Sequence, residues 1–336
     1  MNGSAGFRLF RLISPCAALA IFGISIPPTA ADAVEPKLIL ERTIPLGAVK
    51  DRIDHLAADI GRSRLFVAEL GNDTVAVIDL KTGEVVRRID GLREPQGVGY
   101  SLKADTLYVA NAGDGSLRLF KGADLSPAGE IELGDDADNI RADGDDRMMV
   151  GYGNGGITSI DATGRKVADI RLSAHPEGFA VEPKRDVLYI NIPNNHEIAV
   201  VNRTSGKKIA SWGLTLAVGN FPLILDDEAN RLFAVYRLPA TLVAMDARTR
   251  DLLSRAATCG DADDVFYDGK RERLYVSCGG GEIAVLSAAS PLSEMSRIPT
   301  RQGARTSLFI PTLDRLFVVV PMLGDLPAEI RVFAPQ

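Results

Sequence analysis

Cysteine, histidine and tryptophan are scarce in this chain of 336 residues, which holds three, three and one of them. The histidines, His55, His175 and His196, never stand at a His-x-x-x-His spacing, and no Cys-x-x-Cys occurs. The zinc signatures built on those spacings are therefore absent. Basic residues are outnumbered as well, 38 Lys plus Arg against 44 Asp plus Glu. That balance argues against nonspecific binding to nucleic acid or to an anionic membrane surface, both of which call for a basic footprint. No stretch of helical periodicity with caps competes with a period of two, so the chain is expected to be nearly all β.

Long apolar runs are missing too, apart from residues 12–26. Arg8 and Arg11 precede that run and Ala31, Asp32 and Ala33 end it. Such an order is expected of a secretory signal peptide over residues 1–33. A retained anchor is the alternative, but Pro15 interrupts the run, which is shorter than the roughly 20 residues a span needs. Cys16 lies within it without the small residues of a lipid-attachment site. Cleavage would leave residues 34–336 as a single domain with 36 basic and 43 acidic residues, a net charge of −7. The expectation is a periplasmic or secreted protein, monomeric and without a membrane span after cleavage.

One short phrase recurs seven times, at intervals of 40 to 44 residues. It opens on a polar or small residue and continues with an apolar pair, most often Leu plus an aromatic, and then Val or Ile. Its copies begin at Arg64, Thr106, Arg147, Val187, Arg231, Arg273 and Arg315. A second alternating segment follows each phrase across a polar turn, Val75-Ala76-Val77-Ile78-Asp79 being one example, and a third follows in most repeats. Four short strands per repeat is the composition of a propeller blade. Seven phrases then make seven blades. The last repeat stops at its third strand, whereas residues 38–44 form a strand with no repeat of their own. Pairing the two would close the ring and remove two sheet edges.

The Tyr108-Val109-Ala110-Asn111 phrase, the Val-x-Val-Ile-Asp strand at 75–79 and the Glu-Pro-Gln-Gly bend at 94–97 resemble the YVTN-repeat propellers, including YncE-like exported bacterial proteins. The resemblance covers all seven repeats, although Met148 and Met149 depart from it and repeat five lacks the Asn. It implies a seven-bladed β-propeller and an exported bacterial protein. Its motifs are structural, so it carries no catalytic residue. With one Trp and no Trp-Asp signature, the WD-repeat class is not indicated.

Counting back from each phrase aligns the inner strands. One column is apolar throughout: Leu56, Val98, Ile140, Phe179, Leu223, Val265 and Leu308. Two places earlier stand Asp54, Gln96, Asp138, Glu177, Phe221, Asp263 and Thr306. Around that second column lie Arg52, His55, Glu94, Asp136, Asn139, His175, Asn220, Asp261, Asp264 and Arg305. A closed ring would bring these together at one mouth, where like charges raise one another's pKa values.

Three readings fit such a cluster. Asp side chains can cap the bends that lead into the inner strands. Carboxylates can supply oxygen ligands to a cation, a divalent one included, or to a cationic or polyhydroxylated ligand. His55 or His175 can act as acid or base beside a metal or carboxylate, as in a lactonase or a metal-assisted lyase or hydrolase. The expectation is a non-catalytic binding or interaction module, with a small molecule, cation or protein partner at the acidic mouth. The nearly repeated segments 134–139 and 260–264 lack the Gly and distant Glu of an EF-hand. Cys259 and Cys278 flank antiparallel strands of one blade and are expected to form a disulfide.

Overall fold

The computed structural model describes residues 1–3, 6, 37–144, 147–213 and 217–336. The leader expected at 1–33 falls outside the described residues apart from 1–3 and 6. Residues Pro36–Gln336 form one compact unit. Among the described residues no helix is long and apolar enough to cross a membrane.

Seven four-stranded antiparallel sheets follow one another along the chain. Blade one spans residues 56–89, blade two 95–132, blade three 137–171, blade four 179–213, blade five 218–257 and blade six 262–299. Each repeated phrase is the second strand of its blade, for example Arg64–Glu69 and Arg273–Cys278. These strands are buried almost end to end, because a sheet neighbour covers each face. Their lack of alternation follows from that double cover. Outer strands such as Lys166–Arg171 alternate and carry the charge.

Blade seven takes three strands from the C-terminal end, Ser307–Ile310, Arg315–Val320 and Ala328–Pro335, and its outermost strand, Leu38–Gly47, from the N-terminal side. The register runs from Leu38 opposite Pro335 to Gly47 opposite Ala328. The expected closure is thus present and extends three residues beyond residue 44.

The phrase's polar opener also has a physical reason. An acid ends the inner strand in several blades, is buried there, and pairs with an arginine at or near the opener. Asp59 meets Arg64 at 2.6 Å, Asp226 meets Arg231 at 2.8 Å and Asp268 meets Arg271 at 2.9 Å. The same arginines reach the next blade: Arg231 donates to the Ala288 carbonyl at 2.5 Å, and Arg271 pairs with Asp314 at 2.7 Å. Each pair therefore fastens a strand within its blade and one blade to its neighbour.

The Asn of the Tyr-Val-Ala-Asn phrase is equally structural. Asn111 is fully buried, accepts the Arg93 amide and donates to the Val109 and Ser116 carbonyls. Cys259 and Cys278, 19 residues apart, are joined in a disulfide across blade six.

Two outcomes test these fastenings. Asp226→Ala strands Arg231 in a largely buried setting and should lower stability by about 3–5 kcal/mol, read from urea unfolding; a loss within error would contradict the role. Reduction of the disulfide should cost about 3 kcal/mol in the chain-entropy model, and an intact mass unchanged by reductant would contradict the bridge itself.

Candidate functional site

Inner strands start at one face of the ring, and their first residues surround the axis. Neighbouring strands approach closely there. A Cβ on Gly97 would stand 2.0 Å from the Asp138 carbonyl, so only glycine lets blade two come this near blade three. Gly178 donates its amide to the Phe221 carbonyl at 3.0 Å, tying blade four to blade five. The apolar column behaves as a packed wall: six of its seven members are buried and Leu308 is partly so.

Above that wall a cavity of about 240 Å³ opens on the axis, lined by Arg52, His55, Asp138, Asn139, Glu177, Asp263 and Asp264 among polar residues. Phe179, Phe221, Pro222, Leu223, Val265 and Phe266 supply its apolar surface. Seven of the fourteen expected mouth residues thus share one space.

The remaining seven do other work. Asp54 is fully buried, with Arg52 at 2.6 Å from its Oδ2. Arg305 grips Asp263 at 3.1 Å and Asp261 at 3.2 Å. Asn220 is buried and donates to Asn191 Oδ1 and to the Glu197 carbonyl. His175 lies 2.7 Å from the Gly153 carbonyl and 3.5 Å from Asp136, away from the cavity lining. Glu94, Asp136 and Asp261 hold equivalent bends in the left-handed region, at φ 47°, 39° and 58°. Their carbonyls accept the amides of Ala112, Gly153 and Gly279 from the paired strand. Those three acids serve the bends through their backbone, which only partly matches the capping reading, since no side-chain cap is involved.

Arginine is what the acidic columns did not reveal. Arg237, from the end of the long strand Arg231–Leu238, pairs with Asp263 at 2.6 Å and Asp261 at 3.3 Å, and its guanidinium sits 3.6 Å from the Phe221 ring centroid. Arg141 lies beside the cavity on the inner strand Ala137–Ala142. Equivalent places in the other blades hold Ala57, Gly99, Ala180, Ile224, Phe266 and Phe309. Arg141 is the one charge in that column, a signal legible in the sequence had that column been aligned too.

Charge is therefore unevenly compensated around the ring. Blades five, six, seven and one set Arg237, Arg305 and Arg52 against Asp261, Asp263 and Asp54. Blades three and four present Asp138 and Glu177, for which no guanidinium or ammonium partner lies within ion-pair distance among the described residues. Asp138 is 6% exposed, and its Oδ1 has no hydrogen-bond partner. His55 Nε2 lies 3.8 Å from that oxygen, and Oδ2 accepts the Asn139 side-chain amide at 3.3 Å.

Burial and then the Asp54 and Glu177 charges push Asp138 well above the usual carboxylate range, and burial also raises Glu177 and Asp54. Asp264 is pushed up to about 7, chiefly by burial, with Arg141 and the Ser307 amide opposing. His55 lies within 4.0 Å of Asp54, Asp138 and Asp264. Even so, burial and the Arg141 guanidinium push its imidazole down to about 3, so it is neutral at pH 7. Among the described residues no group of three or more His, Cys, Asp or Glu side chains is placed to hold a metal ion.

No family model and no curated protein matches the chain. Solved structures do. A chain in the crystal structure of the mitotic checkpoint complex matches with a TM-score of 0.76 at 14% identity, covering 95% of this chain and 98% of that one. A chain of Kuenenia stuttgartiensis hydrazine synthase matches with a TM-score of 0.68 at 15% identity, covering 87% and 96%. The fold is a seven-bladed β-propeller. At these identities the likeness concerns the fold alone.

The raised Asp264 carboxyl has a signed consequence. Its pKa of about 7 exceeds the ordinary value of 3.8, so the folded chain holds a proton that the unfolded chain releases. The resulting stability is present below about pH 4 and lost as pH rises through 7. Asp264→Asn should therefore melt higher than the parent at pH 8 and near it at pH 5. Equal destabilisation at both values would mean that Asp264 is ionised throughout.

Proposed function

We propose that this protein is an exported binding module whose axial mouth takes a small organic cation, with its ammonium group seated between Asp138 and Glu177. The observation that carries this reading is the pair of cavity-lining carboxyls without a cationic partner, in a cavity whose other two acids are matched, Asp263 by Arg237 and Arg305 and Asp264 by the Ser307 amide. A ligand ammonium would supply the missing donors and favour the ionised form of both carboxyls. A space of about 240 Å³ suits a compact ligand. Its aromatic wall favours cations as well, since Phe221 already carries Arg237 on its face.

Guanidinium groups occupy much of the rim, so the cation is organic rather than a divalent metal. The enzymatic alternative draws on His55, which does stand in the cavity beside three carboxyls. An imidazole held neutral down to about pH 3 is a poor proton acceptor at neutral pH, so binding is the better-supported role. Export, to the periplasm or the medium, is supported by the apolar leader at 1–33 and by the disulfide, which an oxidising compartment maintains. Kinship with the YVTN-repeat propellers belongs to the same proposal and rests on the Tyr108–Asn111 phrase.

Calorimetric titration with primary and quaternary alkylammonium ions, alongside calcium, magnesium, zinc and copper, tests the reading. Saturable heat is expected from an alkylammonium ion. Asp138→Asn combined with Glu177→Gln should weaken it at least about tenfold, as loss of charge-assisted bonds implies. Affinity should rise with pH while these carboxyls ionise, and binding should release protons to the buffer. Silence from every organic cation, or an undiminished response in the double variant, would overturn the proposal. Lactone or ester turnover abolished by His55→Gln would replace it with the enzymatic reading.

A further inference from the structure

A second cavity, of about 350 Å³, borders the first on the side of blades one, two and seven. The two share His55, Arg141, Ala142, Asp264 and Phe266. Most of the remaining lining is apolar, with Leu56, Val98, Ile140, Met148, Leu308 and Phe309 among it. The chamber runs toward the far ends of the inner strands, where Ile60, Ile310 and Pro311 border it.

Arg141 is the feature that this chamber does not explain by itself. A guanidinium carries five N–H donors, yet Arg141 makes one hydrogen bond, to the Ile140 carbonyl at 2.9 Å. No carboxylate lies within ion-pair distance of it among the described residues. Burial lowers its pKa, opposed by the Asp264 and Asp138 charges, so its positive charge is held at a cost. Asp264 does not quench it, because its Oδ2 accepts the Ser307 amide at 2.7 Å. A guanidinium with one hydrogen bond, on the border of a largely apolar chamber, is the recognition element for an anion with an apolar body.

We propose that the second chamber binds a small apolar monocarboxylate, its carboxylate on Arg141 and its hydrocarbon body against Leu56, Val98, Ile140 and Leu308. The site adjoins the mouth at Arg141, and the proposal does not depend on the cation reading. Its pH dependence follows from the groups facing Arg141. His55 is neutral, while Asp138 and Asp264, with Asp54 and Asp263 behind them, repel an anion once ionised; Arg52 and Arg305 oppose that repulsion. Carboxylate affinity should therefore fall as pH rises through 7, opposite in sign to the dependence of a cation in the mouth.

Titration of the full chain with benzoate and hexanoate, against benzamide and hexanamide as neutral shape mimics, tests this at pH 6 and pH 8. The acids should bind saturably and exceed their amides by about tenfold or more, the value of a charge-assisted bidentate contact. Arg141→Met should abolish that preference, and Arg141→Lys should restore part of it. Ala58→Leu, which fills the chamber from blade one while keeping Arg141, should weaken acid and amide alike. Equal binding of benzoate and benzamide, a preference that survives Arg141→Met, or no binding by either acid would overturn the proposal. Should Arg141→Met fail to fold, the acid-to-amide ratio of the parent and the Ala58→Leu titration decide the matter.

Discussion

The pairing of strand Leu38–Gly47 with strand Ala328–Pro335 holds the two ends of the repeat array in one sheet. Without that pairing the seven blades would form an open arc with an exposed edge at each end. With it, seven inner strands must converge on one axis, and their first residues meet whether or not their charges agree. The mouth is thus a consequence of a bond made at the outer rim of blade seven, far from the mouth itself.

Convergence creates an electrostatic problem that the chain answers in two ways. On blades five, six, seven and one, guanidinium groups stand between the carboxylates, and the fully buried Asp54 tolerates its position because Arg52 covers it. Blades three and four receive no such cover, and burial there raises the pKa values of Asp138 and Glu177. A well-packed apolar residue at Asp138 would cost the fold less than a buried carboxyl whose Oδ1 is unbonded and whose Oδ2 takes only the Asn139 amide at 3.3 Å. Retention of a carboxyl there is a structural expense with no structural return, which is why function is sought at that arc. Arg141 presents the same imbalance with the opposite sign, one layer deeper.

Much of the architecture was legible because each blade solves the same burial problem with the same residues. A buried second strand needs Leu, an aromatic and Val in succession, and the seven copies of that phrase mark the ring at a fixed interval. Strand 38–44 could be assigned because it alone lacked a repeat. Columns counted from the phrase placed Asp138, Glu177, Asp263 and Asp264 beside one another correctly. They failed where a side chain answers to another blade: Asn220 turns to Asn191, and His175 faces the Gly153 carbonyl. Arg237 escaped notice because its strand runs two residues longer than its counterparts in blades one and six, a difference set by local pairing. Glu94, Asp136 and Asp261 read as ligands by composition, whereas their left-handed backbone shows that the bend is their main task.

Asp138 lies at the axis without a cationic partner, and burial holds its carboxyl and that of Asp264 above the ordinary carboxylate range. Carbon-detected NMR of protein labelled at the aspartate carboxyl carbon, followed across pH, measures this directly. Signals assigned to Asp138 and Asp264, by their absence in the respective Asn variants, are expected to titrate well above the ordinary carboxylate range, that of Asp264 near 7. If every aspartate instead titrates near the ordinary value of about 4, the axial carboxyls are compensated and the account is contradicted.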